Sequence, residues 1–168
     1  GGGFAVVDVS KPNAPVVVGA FSALGAAQGI AVHQSRVYLA DGWMGVRIVD
    51  VSDPTQPREL GVYDTPGWPS GAAIAGGRAY VADGNAGVQV LDVSRPSAPA
   101  LLSSLPAIGY AHSVAVAGDL IYVADGDGGL IIAEPLRASS AAGLYDRTRS
   151  QAPIGRQEAE FPGSMPMV

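Results

Sequence analysis

The stretch Ala79-Tyr80-Val81-Ala82-Asp83-Gly84 recurs in nearly the same form 42 residues earlier and 42 residues later. The other copies read Val37-Tyr38-Leu39-Ala40-Asp41-Gly42 and Ile121-Tyr122-Val123-Ala124-Asp125-Gly126. An acidic residue keeps the same period, at positions 8, 50, 92 and 134. A fixed period of this length is the sequence signature of a protein built from tandem structural repeats.

Each repeat predicts four short β-strands, which we call A to D. Apolar residues alternate with small or polar ones, and no stretch keeps a helical period. In the repeat quoted first, the predicted strands are 71–75 (A), 79–82 (B), 88–92 (C) and 100–105 (D). Gly76-Gly77 can supply the positive φ angles of a tight hairpin. Each strand is therefore expected to fold back on the one before it.

A proline-containing turn separates strands C and D in three repeats, and the last repeat breaks this pattern after Glu134. In the same repeat it reads Asp92-Val93-Ser94-Arg95-Pro96-Ser97-Ala98-Pro99. Proline cannot donate a hydrogen bond to a neighbouring strand, so the turn must lie outside the sheet. The carboxylate of Asp92 is well placed to accept a hydrogen bond from a free N–H group of the loop. Its predicted role is to hold the turn.

A four-stranded antiparallel unit of about 40 to 45 residues, repeated in tandem, is typical of a β-propeller blade. Two phrases, Val46-Arg47-Ile48-Val49-Asp50-Val51-Ser52-Asp53-Pro54 and Gly87-Val88-Gln89-Val90-Leu91-Asp92-Val93-Ser94, resemble the LVIVD repeat. The resemblance covers about residues 3–134. It implies an all-β propeller from a bacterial or archaeal cell-surface protein, in a family with mostly no assigned activity. The expected extracellular or cell-surface location rests on this resemblance alone.

The strand count predicts an incomplete propeller over residues 1–137. The predicted parts are a partial blade at 3–21, full blades at 29–63 and 71–105, and a last blade at 112–134. This makes about three blades, whereas closed propellers typically have about four to eight. We therefore expect a fragment that needs the missing blades of its own full-length chain. Residues 138–168 lack the repeat and are predicted to form a disordered tail or linker.

Composition narrows the range of partners. The net charge of −5 repels polyanions, so nucleic acid and anionic membrane surfaces are not expected partners. The chain has no cysteine, which excludes disulfides and thiolate sites. No apolar run approaches the roughly 18 residues that a membrane-spanning helix needs, so membrane insertion is not expected.

No residue pattern predicts catalysis. Asp41, Asp83 and Asp125 each precede a glycine between strands B and C, where carboxylates could bind a metal or act in acid–base chemistry. An Asx-type turn is the favoured interpretation, because every blade needs the same turn. His33 and His112 fall on opposite sides of the fold. There is no Gly-x-Ser-x-Gly and no phosphate-binding loop. We predict no catalytic residue, no metal site and no cofactor.

The candidate ligand-binding residues lie where the repeats differ from one another. In antiparallel blades, the B–C turns and the D–A connections emerge on one face. The variable residues at these positions are Trp43, Met44, Trp68, Tyr110, His112, Gln28 and Ser70. Aromatic rings would supply contact area to a ligand, and the polar groups would supply direction. In the alternative, Trp68 and Tyr110 pack against a neighbouring blade and only Trp43 is exposed.

Three functions remain open. The favoured one is a non-catalytic binding or scaffolding propeller that recognises a protein or a glycan through this face. The second is a fragment of a propeller enzyme, a lyase or hydrolase, whose catalytic residues lie largely in the missing blades. The third is a structural spacer between surface domains.

Overall fold

The computed structural model describes residues 2–134, and the tail predicted at 138–168 lies outside the described residues. The described chain forms thirteen β-strands. They are β1 (Gly2–Asp8), β2 (Val16–Ala23), β3 (Gly29–His33), β4 (Arg36–Ala40), β5 (Val46–Asp50), β6 (Arg58–Tyr63), β7 (Gly71–Ala75), β8 (Arg78–Ala82), β9 (Val88–Asp92), β10 (Ala100–Leu105), β11 (Ser113–Ala117), β12 (Leu120–Ala124) and β13 (Leu130–Ala133). Two 3₁₀ turns, Gly42–Met44 and Gly126–Gly128, precede β5 and β13.

The strands form four antiparallel sheets in which the order in space follows the order in sequence. The first sheet holds β1 and β2, the second β3 to β6, the third β7 to β10 and the fourth β11 to β13. The predicted all-β fold of four-stranded blades is confirmed, and the predicted strands of the third sheet differ from the observed ones by at most one residue. The four sheets of residues 2–134 do not close into a ring.

The hydrophobic core lies between the sheets. On β4, Val37 and Leu39 pack toward the first sheet with Phe4 and Phe21. Tyr38 points to the other side of β4 and packs in the cluster shared with the third sheet. Both sides of the strand are buried because a blade has a neighbour on each face, which explains why β4 and β8 read as continuous apolar runs rather than as a strict alternation. The A strands β3, β7 and β11 contact one another in turn.

The hairpins use the predicted turn chemistry. Gly76 and Gly77 have φ angles of 55° and 73°, as a two-residue hairpin of this kind requires. In the turn between strands C and D, the backbone N–H of Ser94 donates to Oδ1 of Asp92 over 2.9 Å. The predicted role of Asp92 in holding this turn is confirmed. Hydrogen bonds from the side chain and the backbone of Ser94 hold the pKa of the Asp92 carboxyl below its ordinary value.

Each pair of strands C and D carries a β-bulge at the same point of the repeat. The register shifts between Val6 and Val7 in the first sheet, between Ile48 and Val49 in the second, and opposite Leu102 in the third. A bulge adds local twist to the outer part of a sheet. The repetition of the bulge shows that the period fixes backbone irregularities as well as strands.

Candidate functional site

The B–C turns and the D–A connections emerge together, and we call the surface they form the aromatic face. Its B–C turns are residues 41–45, 83–87 and 125–129, and its D–A connections are residues 24–28, 64–70 and 106–112. The structure brings a turn and a connection into direct contact, because Gly84 and Ala111 form an isolated antiparallel bridge. The predicted site residues therefore lie on one surface, as strand polarity requires.

Asp41, Asp83 and Asp125 are buried below the loops of this face, and the prediction that their side chains form Asx-type turns is wrong. Neither Asp41 nor Asp125 makes a side-chain hydrogen bond that caps its own turn. The turn is closed by the backbone instead: the N–H of Met44 donates to the carbonyl of Asp41, and the N–H of Gly45 donates to that of Gly42. The carboxylates are fully buried and are turned away from solvent.

Each buried carboxylate holds the D–A connection that precedes it in the chain. Oδ2 of Asp83 accepts from the N–H of Gly67 over 2.9 Å, and Oδ2 of Asp125 accepts from the N–H groups of Ile108 and Gly109. The distance along the chain is 16 or 17 residues. These aspartates are structural groups that fix the connection, and through it the aromatic side chains that the connection carries.

The three aspartates differ in how many of their carboxylate oxygens have a hydrogen-bond partner. Oδ1 of Asp83 accepts from the hydroxyl of Thr65, whereas Oδ1 of Asp41 and Oδ1 of Asp125 are buried without a hydrogen-bond partner among the described residues. Burial raises the pKa of Asp83 above its ordinary value, in opposition to the hydrogen bonds from Thr65 and Gly67. Sequence comparison of the repeats could have found this difference, because alanine stands at the two positions equivalent to Thr65.

Arg47 adds a buried ion pair beneath the second sheet's turn. Its Nε lies 2.6 Å from Oδ2 of Asp41, and its Nη1 lies 2.6 Å from Oε2 of Glu59. Burial acts to lower the pKa of Arg47, but the two carboxylates outweigh it and the net shift is upward. The next repeat has Gln89 here, whose side-chain amide donates to the carbonyl of Ala86. The arginine thus stabilises one B–C turn, the one that carries Trp43 and Met44.

Trp43 and Trp68 contact each other on the surface. Their ring centroids are 5.7 Å apart with an angle of 64° between the planes, an edge-to-face arrangement. Trp68 packs against Gly42 of the preceding blade's turn, as the alternative interpretation expected, yet 39% of it stays exposed. Trp43 is 58% exposed, and Met44 is half-buried. The contact between residues 25 positions apart creates a two-ring surface.

Tyr110 and His112 form a second ring pair one blade further on. Their centroids are 4.7 Å apart, and the Tyr110 ring covers Gly84 in the same way that Trp68 covers Gly42. Tyr110 is half-buried and His112 is exposed. The same packing position therefore recurs in two successive connections, with a different aromatic residue in each.

The two other predicted polar residues differ in availability. Gln28 is exposed. Ser70 donates its hydroxyl hydrogen bond toward carbonyl oxygens of the next blade, most closely to that of His112 at 2.7 Å. The hydroxyl therefore contributes to the contact between two blades and has no second proton to donate to a ligand.

A hollow of about 840 Å³ adjoins Trp43 at the free side of β1. The side chains of Phe4, Phe21 and Leu24 line it together with backbone polar groups of the neighbouring glycines and alanines. Within residues 2–134, no group of three or more His, Asp or Glu side chains is arranged to hold a metal ion. In the same part of the chain, no helix has the length and apolar character needed to cross a membrane.

Sequence reasoning missed one repeated feature of this face. Leu24, Pro66 and Ile108 occupy equivalent positions in the three D–A connections, and all three are exposed. Leu24 is 76% exposed and Ile108 is 83% exposed. The sequence does show an apolar residue at this position in three repeats. A recurring apolar residue is ordinarily interpreted as part of the core, so only the structure showed that these side chains are exposed.

The fold and the surface together define a repeat protein of the β-propeller class whose apolar, aromatic loops lie on one side of its blades. Comparison with family models matches the LVIVD repeat at residues 1–23, 24–65, 67–105 and 108–133. The chain belongs to the LVIVD repeat family. No curated protein matches it. Among solved structures, a computationally designed protein, Ika4, is similar with a TM-score of 0.43 and 8% identity, over 67% of this chain and 93% of that one.

Proposed function

We propose that this protein is a non-catalytic binding or scaffolding module that recognises a partner through the aromatic face. The observation that carries the proposal is the Trp43–Trp68 pair, in contact at 5.7 Å yet 58% and 39% exposed. Exposed apolar side chains that are packed in a fixed arrangement are typical of interaction surfaces. Large rigid aromatic side chains also supply much of the energy in many interfaces.

Ion pairs and hydrogen bonds that fix the backbone near Trp43 and Trp68 also favour a binding role. The ion pair between Asp41 and Arg47 joins the two ends of the turn that carries Trp43. The carboxylate of Asp83 accepts a hydrogen bond from the connection that carries Trp68. Both rings are therefore attached to backbone segments that are fixed by buried hydrogen bonds. A surface that is already ordered loses less conformational entropy on binding. We further propose an extracellular or cell-surface location, as the family resemblance implies.

The experiment compares two variants of the 168-residue chain with the wild type on a peptide array and a glycan array. Trp43→Ala removes the more exposed ring, and Arg95→Ala changes the C–D turn on the opposite face. We expect a selectively bound ligand whose affinity falls about tenfold or more in Trp43→Ala and is unchanged in Arg95→Ala. Melting temperatures of both variants should stay close to the wild type. Equal loss in both variants, or no ligand that depends on Trp43, contradicts the proposal.

A further inference from the structure

The aromatic face combines exposed rings with exposed aliphatic side chains. Leu24 and Ile108 are 76% and 83% exposed, and they lie in the same set of loops as Trp43 and Trp68. A sugar ring can stack on tryptophan, but its hydroxyl groups lose hydrogen bonds to water when they are buried against leucine or isoleucine. Apolar side chains of a partner protein have no such cost, and their burial releases water from both surfaces. The exposed side chains of Leu24 and Ile108 therefore favour a polypeptide over a glycan as the ligand.

Basic residues are confined to one of the two faces, whereas acidic residues lie on both. The B–C turns and D–A connections of residues 2–134 contain no lysine and no arginine. Their exposed charged residues are Asp64 and Asp127. All the basic residues of the described chain except the buried Arg47 lie in or beside the A–B and C–D turns of the opposite face. They are Lys11, Arg36, Arg58, Arg78 and Arg95.

Asp64 is an exposed acid in the same loops as the tryptophan pair. Its Cα lies against Gly45, two residues after Trp43, and it begins the D–A connection that carries Trp68. A carboxylate on the same surface as exposed indole rings suits a partner lysine or arginine, which can pair with a carboxylate or lie over an aromatic face. The absence of basic side chains from the loops of this face leaves that attraction unopposed.

Resting on the function proposed above, we propose that the aromatic face binds a basic, apolar peptide segment of a partner protein. Apolar side chains of the segment contact Leu24, Trp43 and Trp68, and a lysine or arginine of the segment pairs with Asp64. The two tryptophans are the only ones in the chain, so their fluorescence reports directly on this surface.

The test titrates the full chain with short synthetic peptides and follows tryptophan fluorescence. A peptide of alternating lysine and leucine is compared with a glutamate–leucine peptide of the same length and with a lysine–serine peptide. Cellohexaose serves as the glycan probe. Asp64→Asn is compared with Asp119→Asn, which makes the same change of net charge in an A–B turn of the opposite face.

We expect only the lysine–leucine peptide to shift the fluorescence, and we expect added salt to weaken that binding. Asp64→Asn should weaken it about two- to fivefold, and Asp119→Asn should leave it unchanged. Trp43→Ala should weaken it by about tenfold or more.

Different failures separate this proposal from the function it rests on. If the lysine–leucine peptide fails to bind, or binds no better than the glutamate–leucine peptide, the proposed ligand class is wrong. If cellohexaose binds instead and Trp43→Ala abolishes that binding, the ligand class is wrong but binding through the aromatic face stands. If every probe binds equally well to wild type and Trp43→Ala but less well to Arg95→Ala, both proposals are wrong.

Discussion

The hydroxyl of Thr65 donates a hydrogen bond to Oδ1 of Asp83 over 2.8 Å, and both groups are buried. This bond joins the D–A connection after the second sheet to the B–C turn of the third. It completes the hydrogen bonding of a carboxylate whose equivalents in the neighbouring blades each keep one unpartnered oxygen among the described residues. Among the three junctions between sheets, the one between the second and third sheets is therefore the only one in which both oxygens of the described aspartate have hydrogen-bond partners.

Removing the Thr65 hydroxyl should destabilise this junction. Thr65→Val keeps the shape of the side chain but leaves Oδ1 of Asp83 buried without a donor, at a cost of about 1–3 kcal/mol. Chemical denaturation measures the change in the free energy of unfolding. Thr55→Val is the matched control, because its hydroxyl also bonds an aspartate, Asp53, but on an exposed loop. A loss as large for Thr55→Val as for Thr65→Val would contradict the importance of burial.

Adding the same hydroxyl to the next junction should stabilise it. Ala107 stands where Thr65 stands one repeat earlier, and the N–H groups of both residues lie against the last glycine of a B–C turn. Ala107→Thr can supply a donor to Oδ1 of Asp125, with an expected gain of about 0.5–1.5 kcal/mol. The measurement is again the free energy of unfolding, with Ala107→Val as the control that adds bulk without a donor. Equal effects of threonine and valine would show that the oxygen is not reached.

Arg47 should be costly to remove on its own. In Arg47→Leu, Asp41 stays buried and loses its ion-pair partner, which we expect to cost about 3–5 kcal/mol. The double variant Arg47→Leu/Asp41→Asn removes the uncompensated charge, so it should recover part of that loss. A double-mutant cycle on the free energy of unfolding measures the coupling. Strictly additive losses would mean that the pair does not act as a unit.

Asp83 and Asp92 should respond to pH with opposite signs. The pKa of Asp83 is raised by burial, so its ionised form costs stability, and the wild type gains relative to Asp83→Asn as pH falls through the raised pKa toward 3.8. The pKa of Asp92 is lowered by hydrogen bonds from Ser94, so its contribution is present above 3.8 and is lost as pH falls through the lowered value. The wild type should therefore lose stability relative to Asp92→Asn over that lower range.

Melting temperatures of the wild type and the two variants, recorded from neutral pH down to the onset of acid unfolding, test this pair of signs. Asp92→Asn serves as the reference for Asp83→Asn, because both substitutions remove one negative charge from the same blade. Parallel pH profiles for the two variants would contradict the assigned causes of the two pKa shifts.

The repeat period by itself determined the strands, the hairpins and the sharing of one face by the candidate site residues. These features depend on local interactions and on chain direction: short apolar segments between turns form strands, Gly76-Gly77 forms a tight turn, and antiparallel connections alternate between two faces. The fold class and the position of Trp43, Trp68 and Tyr110 on one surface could therefore be predicted from residues that are close in sequence.

Only the tertiary structure decided which groups face inward. Asp83 precedes a glycine and looks like an ordinary turn residue, but its carboxylate is buried because the preceding connection folds over it and supplies donors 16 and 18 residues away along the chain. Leu24 and Ile108 look like core residues, yet each lies in a D–A connection where its side chain is exposed. Burial and long-range hydrogen bonds arise from the packing of one blade on the next, which no single repeat contains.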